Sequence, residues 1–279
     1  MINLVVALPA EARPLIEFYR LTEKTTIGSF RVYRHQDMSL VISGPGKIAA
    51  AAATALLAGN NTSAKQAAWL NVGVAGHATY AIGKSLLAHR ITDQATGQSW
   101  YPPQLFDLTT TTACLLTVDA PENSYHQEVA YDMEASGFYA VAGRFSSHEL
   151  VQCFKVVSDN REQSAATLTA ASCSRLVTEK LDEIEQLVGA LLAMVQDYNS
   201  WHAPHAGLEQ LASHWHFTVS QQHQLAELAR RWKVLMPQQP LWLEGLEKKR
   251  NASAVLHCLR QQLDSLTPAV TKETPASRV

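Results

Sequence analysis

Ile2-Asn3-Leu4-Val5-Val6-Ala7-Leu8-Pro9 is an almost unbroken apolar stretch closed by a proline. Such a run predicts a strand covered on both faces, because a half-exposed strand would alternate apolar and polar residues. Working outward, residues 30–34 and 39–43 read as the next strands, separated by the polar turn His35-Gln36-Asp37. Gly44-Pro45-Gly46 then breaks the chain before an Ala-rich helix at 47–58. Further strands are predicted at 69–74, 85–91, 113–118 and 151–157, with a helix at 134–144. Strands alternating with helices predict an α/β domain of three layers around a central mixed or parallel sheet.

The pattern changes after about Arg161. Residues 164–198 read as helical, with Leu176, Val177, Leu181, Ile184, Leu187, Val188, Leu191, Leu192 and Val195 forming one wide apolar stripe. A break at Trp201-His202-Ala203-Pro204-His205-Ala206-Gly207 precedes shorter helices at 208–215, 220–235 and 244–266. Ser220 is the expected N-cap of the second, and Pro237 to Pro240 separates the last two. The predicted organisation is an α/β domain over 1–198, an all-helical C-terminal region over 199–268 and a flexible polar tail over 269–279.

The 279 residues carry 23 Lys+Arg against 25 Asp+Glu, a net charge of -2, with 47% hydrophobic and 17% charged residues. Near-neutral charge argues against a generally basic nucleic-acid binder and against an acidic disordered chain. The low charged fraction points to apolar surface that meets a partner. No run approaches the roughly 18 apolar residues of a membrane span. The N-terminus lacks the basic segment and cleavage site of a signal peptide, so the expected location is the cytoplasm. Cys114, Cys153, Cys173 and Cys258 are scattered, as expected of isolated thiols.

Gly44-Pro45-Gly46-Lys47 is not a P-loop, because Val41 and Ile48 stand where that loop needs a glycine and a Ser or Thr. It is a glycine-rich turn feeding a helix N-terminus, either a tight connection or an approach for an anion or sugar. Gly73-Val74-Ala75-Gly76 follows a buried strand, where missing side chains permit ligand approach or simply packing. Asp132-Met133-Glu134 puts two acids at a helix start, which the helix dipole alone would favour. Ser158-Asp159 ends the strand Phe154-Lys155-Val156-Val157, and Glu11 follows the first strand. Each acid by itself reads more readily as structural, a helix cap among other roles, than as catalytic.

Taken together, in this order, Glu11, Gly44-Pro45-Gly46-Lys47, Gly73-Val74-Ala75-Gly76, Met133-Glu134-Ala135 and Ser158-Asp159 resemble one family. It is the purine nucleoside phosphorylase/nucleosidase superfamily, and within it the methylthioadenosine/S-adenosylhomocysteine nucleosidase-like branch. The resemblance covers about residues 1–195 and implies a three-layer nucleoside phosphorylase-like fold with a central mixed sheet, to which the helical C-terminal region is appended. It implies cleavage of the N-glycosidic bond of an adenosine-type nucleoside through an oxocarbenium-like transition state, without metal or organic cofactor, by a homo-oligomer, with a dimer favoured.

On that resemblance Asp159 protonates or hydrogen-bonds purine N7, with Ser158 orienting it. Glu134 accepts from the ribose hydroxyls, Met133 packs on the sugar and Glu11 activates water. Gly76, His77 and Lys155 are the remaining expected substrate contacts. Ala7-Leu8-Pro9-Ala10-Glu11-Ala12-Arg13 lacks the Gly-Asp-Pro pattern that holds phosphate in phosphorolytic members, and a carboxylate there repels phosphate. Arg13, Lys47 and Lys155 could offset it, so phosphorolysis stays open as the alternative. Val74, His77 and Lys155, which replaces an Arg, depart from the pattern and also leave open a non-catalytic nucleoside-binding module. Tyr131, Phe138 and Phe154 are aromatics that could stack on a base, with core packing favoured for Phe138.

His202, His205, His214, His216 and His223 cluster without a recognised metal-ligand spacing, and Arg230, Arg231 and Lys233 give one helix a basic edge. Neither a metal site nor a nucleic-acid surface is expected from them.

Overall fold

The computed structural model describes the whole chain except residues 61–65, 204, 206, 237–238, 242–244 and 266–279, and the side chain of His202. The elements run β1 (Ile2–Val6), α1 (Pro9–Phe18), β2 (Glu23–Ile27), β3 (Phe30–His35), β4 (Met38–Ile42), α2 (Lys47–Gly59) and β5 (Ala68–His77). They continue with β6 (Ser85–Asp93), β7 (Ser99–Trp100), β8 (Thr111–Thr117), β9 (Ala130–Asp132), α3 (Ala135–Ala142) and β10 (Val151–Asp159). Among the described residues there follow the helices α4 (Ala170–Thr178), α5 (Leu181–His202), α6 (Leu208–His214), α7 (Val219–Leu235) and α8 (Ala252–Ser265). The chain divides into two compact units, Met1–Asn199 and Ser200–Val279.

In the first unit β1 lies between β4 and β5 and is parallel to both. Its residues alternate between two cores. Ile2, Leu4 and Val6 join the cluster that contains Leu15 of α1, Val177 of α4 and Ile184, Leu187 and Leu191 of α5. Val5 faces the opposite cluster with Ala50, Ala53 and Leu57 of α2 and Phe138 and Tyr139 of α3. Both faces of β1 are therefore covered, which is why its sequence is apolar at every position but Asn3. Each fully buried Leu, Ile or Val contributes roughly 1.5–3 kcal/mol. The layers are helix, mixed sheet, helix, with the antiparallel strands β3 and β2 extending the sheet beyond β4.

Beyond β5 the sheet closes on itself. β5 pairs β9, β9 pairs β8, β8 pairs β6, β6 pairs β10, and β10 returns to β5. The β10–β5 register shifts between Val157 and Asp159, so the extra residue at Ser158 is a bulge that re-aims the strand end. Gly137 marks a close helix crossing: a Cβ there would sit 1.9 Å from the carbonyl oxygen of Lys47 at the start of α2.

Some elements differ from their sequence reading. Pro9 does more than end the first strand: it is the first residue of α1, where a missing N–H costs nothing. The predicted helix at 164–198 is broken at 179–180 into α4 and α5, after a short 3-10 turn at Ala165–Thr167. Thr218, not Ser220, caps α7, its hydroxyl accepting from Gln221 N. The helix expected at 244–266 begins at Ala252, after a 3-10 turn at Leu246–Lys248; residues 244 and 266 lie outside the described residues, as does the predicted tail at 269–279. The second unit has its own core of Leu211, Phe217, Leu225, Trp232, Leu246, Val255 and Leu259 among others.

Candidate active site

The parallel strands β1, β4, β5 and β10 end on one side of the sheet, the place where open α/β sheets bind ligands. Glu11, Gly76, Met133, Glu134, Ser158 and Asp159 line a cavity there of about 300 Å³, at the lower end of the roughly 300–1,000 Å³ of small-molecule sites.

Glu11 is the third residue of α1. Its Oε2 accepts from Leu8 N at 2.8 Å, satisfying an orphan donor of the helix start, and its Oε1 accepts from Val74 N at 2.8 Å. The carboxyl is buried, and burial raises it from 4.5 to about 7 against the pull of those backbone donors and Lys155. A group of that strength can take a proton from water near neutral pH. Gly73 leaves room for it: a Cβ there would lie 2.9 Å from Oε1.

Glu134 is also buried. Its Oε1 accepts from Gly46 N at 2.8 Å, tying the glycine-rich turn to the start of α3. Gly44 and Gly46 have φ of 78° and 98°, backbone that only glycine adopts freely. Burial raises the Glu134 carboxyl and nearby Lys155 lowers it, with burial the larger effect.

Asp159 ends β10. Its Oδ1 accepts from Ser158 Oγ at 2.5 Å, and its Oδ2 accepts from the phenol of Tyr125. Gly76 makes this arrangement possible, since a Cβ there would lie 2.5 Å from Asp159 Oδ2 and 2.9 Å from the Tyr125 ring. Tyr125 escaped the sequence reading because residues 119–129 are a polar loop without periodicity. Tyr131, one of the proposed stacking aromatics, lines the cavity, whereas Phe138 and Phe154 lie in the two cores.

Two expected substrate contacts are placed elsewhere. Lys155 does not line the cavity; it is 2% exposed and pairs with Asp132 Oδ2 at 2.9 Å. Asp132 also accepts from Ala135 N and Thr117 Oγ1, both at 2.8 Å, so it caps α3 while holding the lysine. His77 is a turn cap: its Nδ1 accepts from Thr79 N and Tyr80 N at 3.2 and 3.1 Å, and its ring stacks on Tyr80. Burial lowers its affinity for a proton, which suits an imidazole used as acceptor.

The cavity is acidic. Glu11, Glu122, Asp132, Glu134 and Asp159 line it, and no Lys, Arg or His does among the described residues. Arg13 faces solvent and pairs with Glu17, while Lys47 bridges Asp93 at 2.8 Å and Asp119 at 2.9 Å. Burial alone would raise Asp93, but Lys47, Thr96 and Ser136 donate to it and hold it at about 2.

In the second unit, Arg230 pairs with Glu227, Arg231 with Asp264, and Lys233 donates to the carbonyls of Ser200 and Ala203. The basic edge of α7 is thus occupied locally. Among the described residues no three His, Cys, Asp or Glu side chains converge as a metal would require, and no helix is long and apolar enough to cross a membrane.

The fold is that of the nucleoside phosphorylase/nucleosidase superfamily. Among similar solved structures is futalosine hydrolase of Helicobacter pylori, at 15% identity over 65% of this chain and 97% of that one, with a TM-score of 0.52. Another is 5′-methylthioadenosine/S-adenosylhomocysteine nucleosidase from Neisseria meningitidis in complex with methylthio-immucillin-A, at 18% over 64% and 96%, TM-score 0.51. The 5′-methylthioadenosine nucleosidase of Arabidopsis thaliana matches at 18% over 70% and 95%, TM-score 0.54. Nearly the whole of each neighbour is matched, so about a third of this chain has no counterpart in them. Comparison of the sequence with protein-family models and with curated proteins returns no match.

Proposed function

We propose that the protein hydrolyses the N-glycosidic bond of a purine nucleoside of the adenosine type. The observation that carries this reading is one cavity that brings together Glu11, Glu134 and Asp159 in different surroundings, with no cation on its wall among the described residues. In a bond cleavage through an oxocarbenium-like state, the ribose gains positive charge while the base leaves as an anion or is protonated. Glu134 is suited to accept from the ribose hydroxyls, and its charge favours the cationic sugar. Asp159 protonates or hydrogen-bonds N7 of the departing base, oriented by Ser158. Glu11 takes the proton of the water that attacks the anomeric carbon. Met133 packs against the sugar.

Water is favoured over phosphate as the nucleophile. An anion entering beside Glu11 and Glu134 would meet like charge, and the three cations named from the sequence are engaged elsewhere. The decisive assay incubates the protein with methylthioadenosine, adenosylhomocysteine, adenosine, inosine and futalosine, with and without phosphate, and separates the products. Free base in both arms is the expected result; base only with phosphate, or from no substrate, overturns the reading.

The protein is also proposed to self-associate, as a dimer. α2 presents an outer face without a polar side chain: Ile48 is 82% exposed, and Ala52 and Ala55 are exposed on successive turns.

A further inference from the structure

Tyr125 is held with unusual completeness for a residue in an irregular loop. Its phenol donates to Asp159 Oδ2, and its ring meets Tyr131 edge-on at 5.8 Å. Its backbone has φ of 45°, an uncommon conformation for a bulky residue. Two charged side chains secure that backbone. Glu122 Oε1 accepts from the N–H groups of Asn123, Ser124 and Tyr125, and Arg161 donates to the Tyr125 carbonyl at 2.5 Å. Arg161 lies two residues beyond Asp159. The segment that carries the acid therefore also grips the backbone of the residue bonded to it. Tyr125 is 2% exposed and packs with Ala78, Leu116, Val118, Val129 and Tyr131, while the absent side chain of Gly76 leaves the space its ring edge occupies.

We propose that Tyr125 is a positioning residue for leaving-group departure, donating to the carboxylate that Asp159 becomes when its proton passes to the base. This rests on the hydrolytic reading given above. In that step the C1′–N9 bond breaks with its electron pair going to the purine, N7 receives the proton of Asp159, and water adds at C1′ while Glu11 takes its proton. Asp159 is left as a carboxylate with Ser158 and Tyr125 as O–H donors. The phenol keeps its own proton, because burial and the neighbouring Asp159 and Glu122 charges all oppose its ionisation. Tyr125 touches neither sugar nor base in this scheme; it acts through Asp159.

The test is Tyr125→Phe, which removes one oxygen from a packed ring, assayed on the best purine nucleoside and on 4-nitrophenyl β-ribofuranoside, whose leaving group departs without a proton. A hydrogen bond to a charged group contributes about 1.5–3 kcal/mol, so kcat on the nucleoside is expected to fall roughly 10- to 100-fold. Turnover of the nitrophenyl riboside is expected to stay within about threefold. The difference between the two losses is the readout that a merely structural role would not move. Wild-type rate on the nucleoside, or an equal loss on both substrates, overturns the proposal. If wild type proves inert on the nitrophenyl substrate, the N7-methylated form of the same nucleoside, whose base also departs without a proton, takes its place in the comparison. Wild type inert on every purine nucleoside overturns the hydrolytic reading and this one together, whereas active wild type with an equally active Tyr125→Phe overturns only this one.

Discussion

Lys155 Nζ lies 2.9 Å from Asp132 Oδ2 in the core, both side chains closed to solvent. Burial alone would strip the lysine of its proton, but Asp132, Glu134 and Glu11 hold it charged. Lys155 is thus the counter-ion of an acidic site rather than a wall of it. Removing one partner of such a pair leaves an uncompensated charge in the interior. Lys155→Met is expected to lose about 3–5 kcal/mol of stability in urea unfolding, and Lys155→Met combined with Asp132→Asn to lose less than the single variant. A single variant as stable as wild type would contradict this.

Glu11 gives two linked pH dependences. As the proposed base it must be ionised, so kcat/KM is expected to rise with pH through about 7. Glu11→Gln is expected to lower kcat roughly 10²- to 10⁴-fold while retaining nucleoside binding. For stability the sign runs the other way. The folded value lies above the ordinary 4.5, so the folded state holds the proton more tightly. The contribution is complete below about pH 4.5 and lost as pH rises through about 7. The stability of wild type relative to Glu11→Gln should therefore decline between those limits in urea titrations, and a flat difference would sink the assignment.

Gly76→Ala places a methyl group 2.5 Å from Asp159 Oδ2, and Gly73→Ala places one 2.9 Å from Glu11 Oε1. Each must displace a carboxyl group of the proposed site. A displacement of that order is expected to cost roughly 10²-fold in kcat, with circular dichroism unchanged. Full activity in both variants would show that the carboxyl positions do not matter to turnover.

Ile48→Lys puts a charge on the apolar outer face of α2, where the native side chain is 82% exposed. The variant should sediment as a monomer under conditions in which wild type sediments as a dimer. An unchanged sedimentation coefficient excludes this face as the contact.

Trp232 is 1% exposed in the C-terminal core, and its Nε1 donates to Gln239 O at 3.2 Å. Trp232→Ala is expected to cost that unit about 3–5 kcal/mol, read as loss of hydrogen-exchange protection in α7 and α8. Unaltered protection there would contradict the packing role given to the indole.

Much of this protein could be read along the chain because the relevant physics is local. Mostly apolar runs announced β1, β5 and β10, since both faces of the sheet are covered by helices. Gly44-Pro45-Gly46 announced the turn into α2, and Met133-Glu134-Ala135 and Ser158-Asp159 marked two walls of the cavity. α1 escaped notice because Pro9 reads only as the close of the first apolar run, although it stands where a helix start needs no N–H. β2 escaped as well: Glu23-Lys24-Thr25-Thr26-Ile27 is an exposed edge without an apolar pattern.

The 279 residues by themselves determined the α/β class and the helical C-terminal region and singled out Glu11, Glu134 and Asp159, which line one cavity, because periodicity, glycine placement and strand ends are properties of short segments. Tertiary structure decided the job of each charged group. Whether a lysine contacts a ligand or neutralises a buried aspartate depends on where a separate strand brings that aspartate, as Asp132 of β9 meets Lys155 of β10. His77 became a turn cap and Tyr125 the partner of Asp159 for the same reason. Charge and hydrogen bonding act over a few ångströms of space, and the residues within that reach can lie far apart in the chain, as Gly46 and Glu134 do at 88 positions.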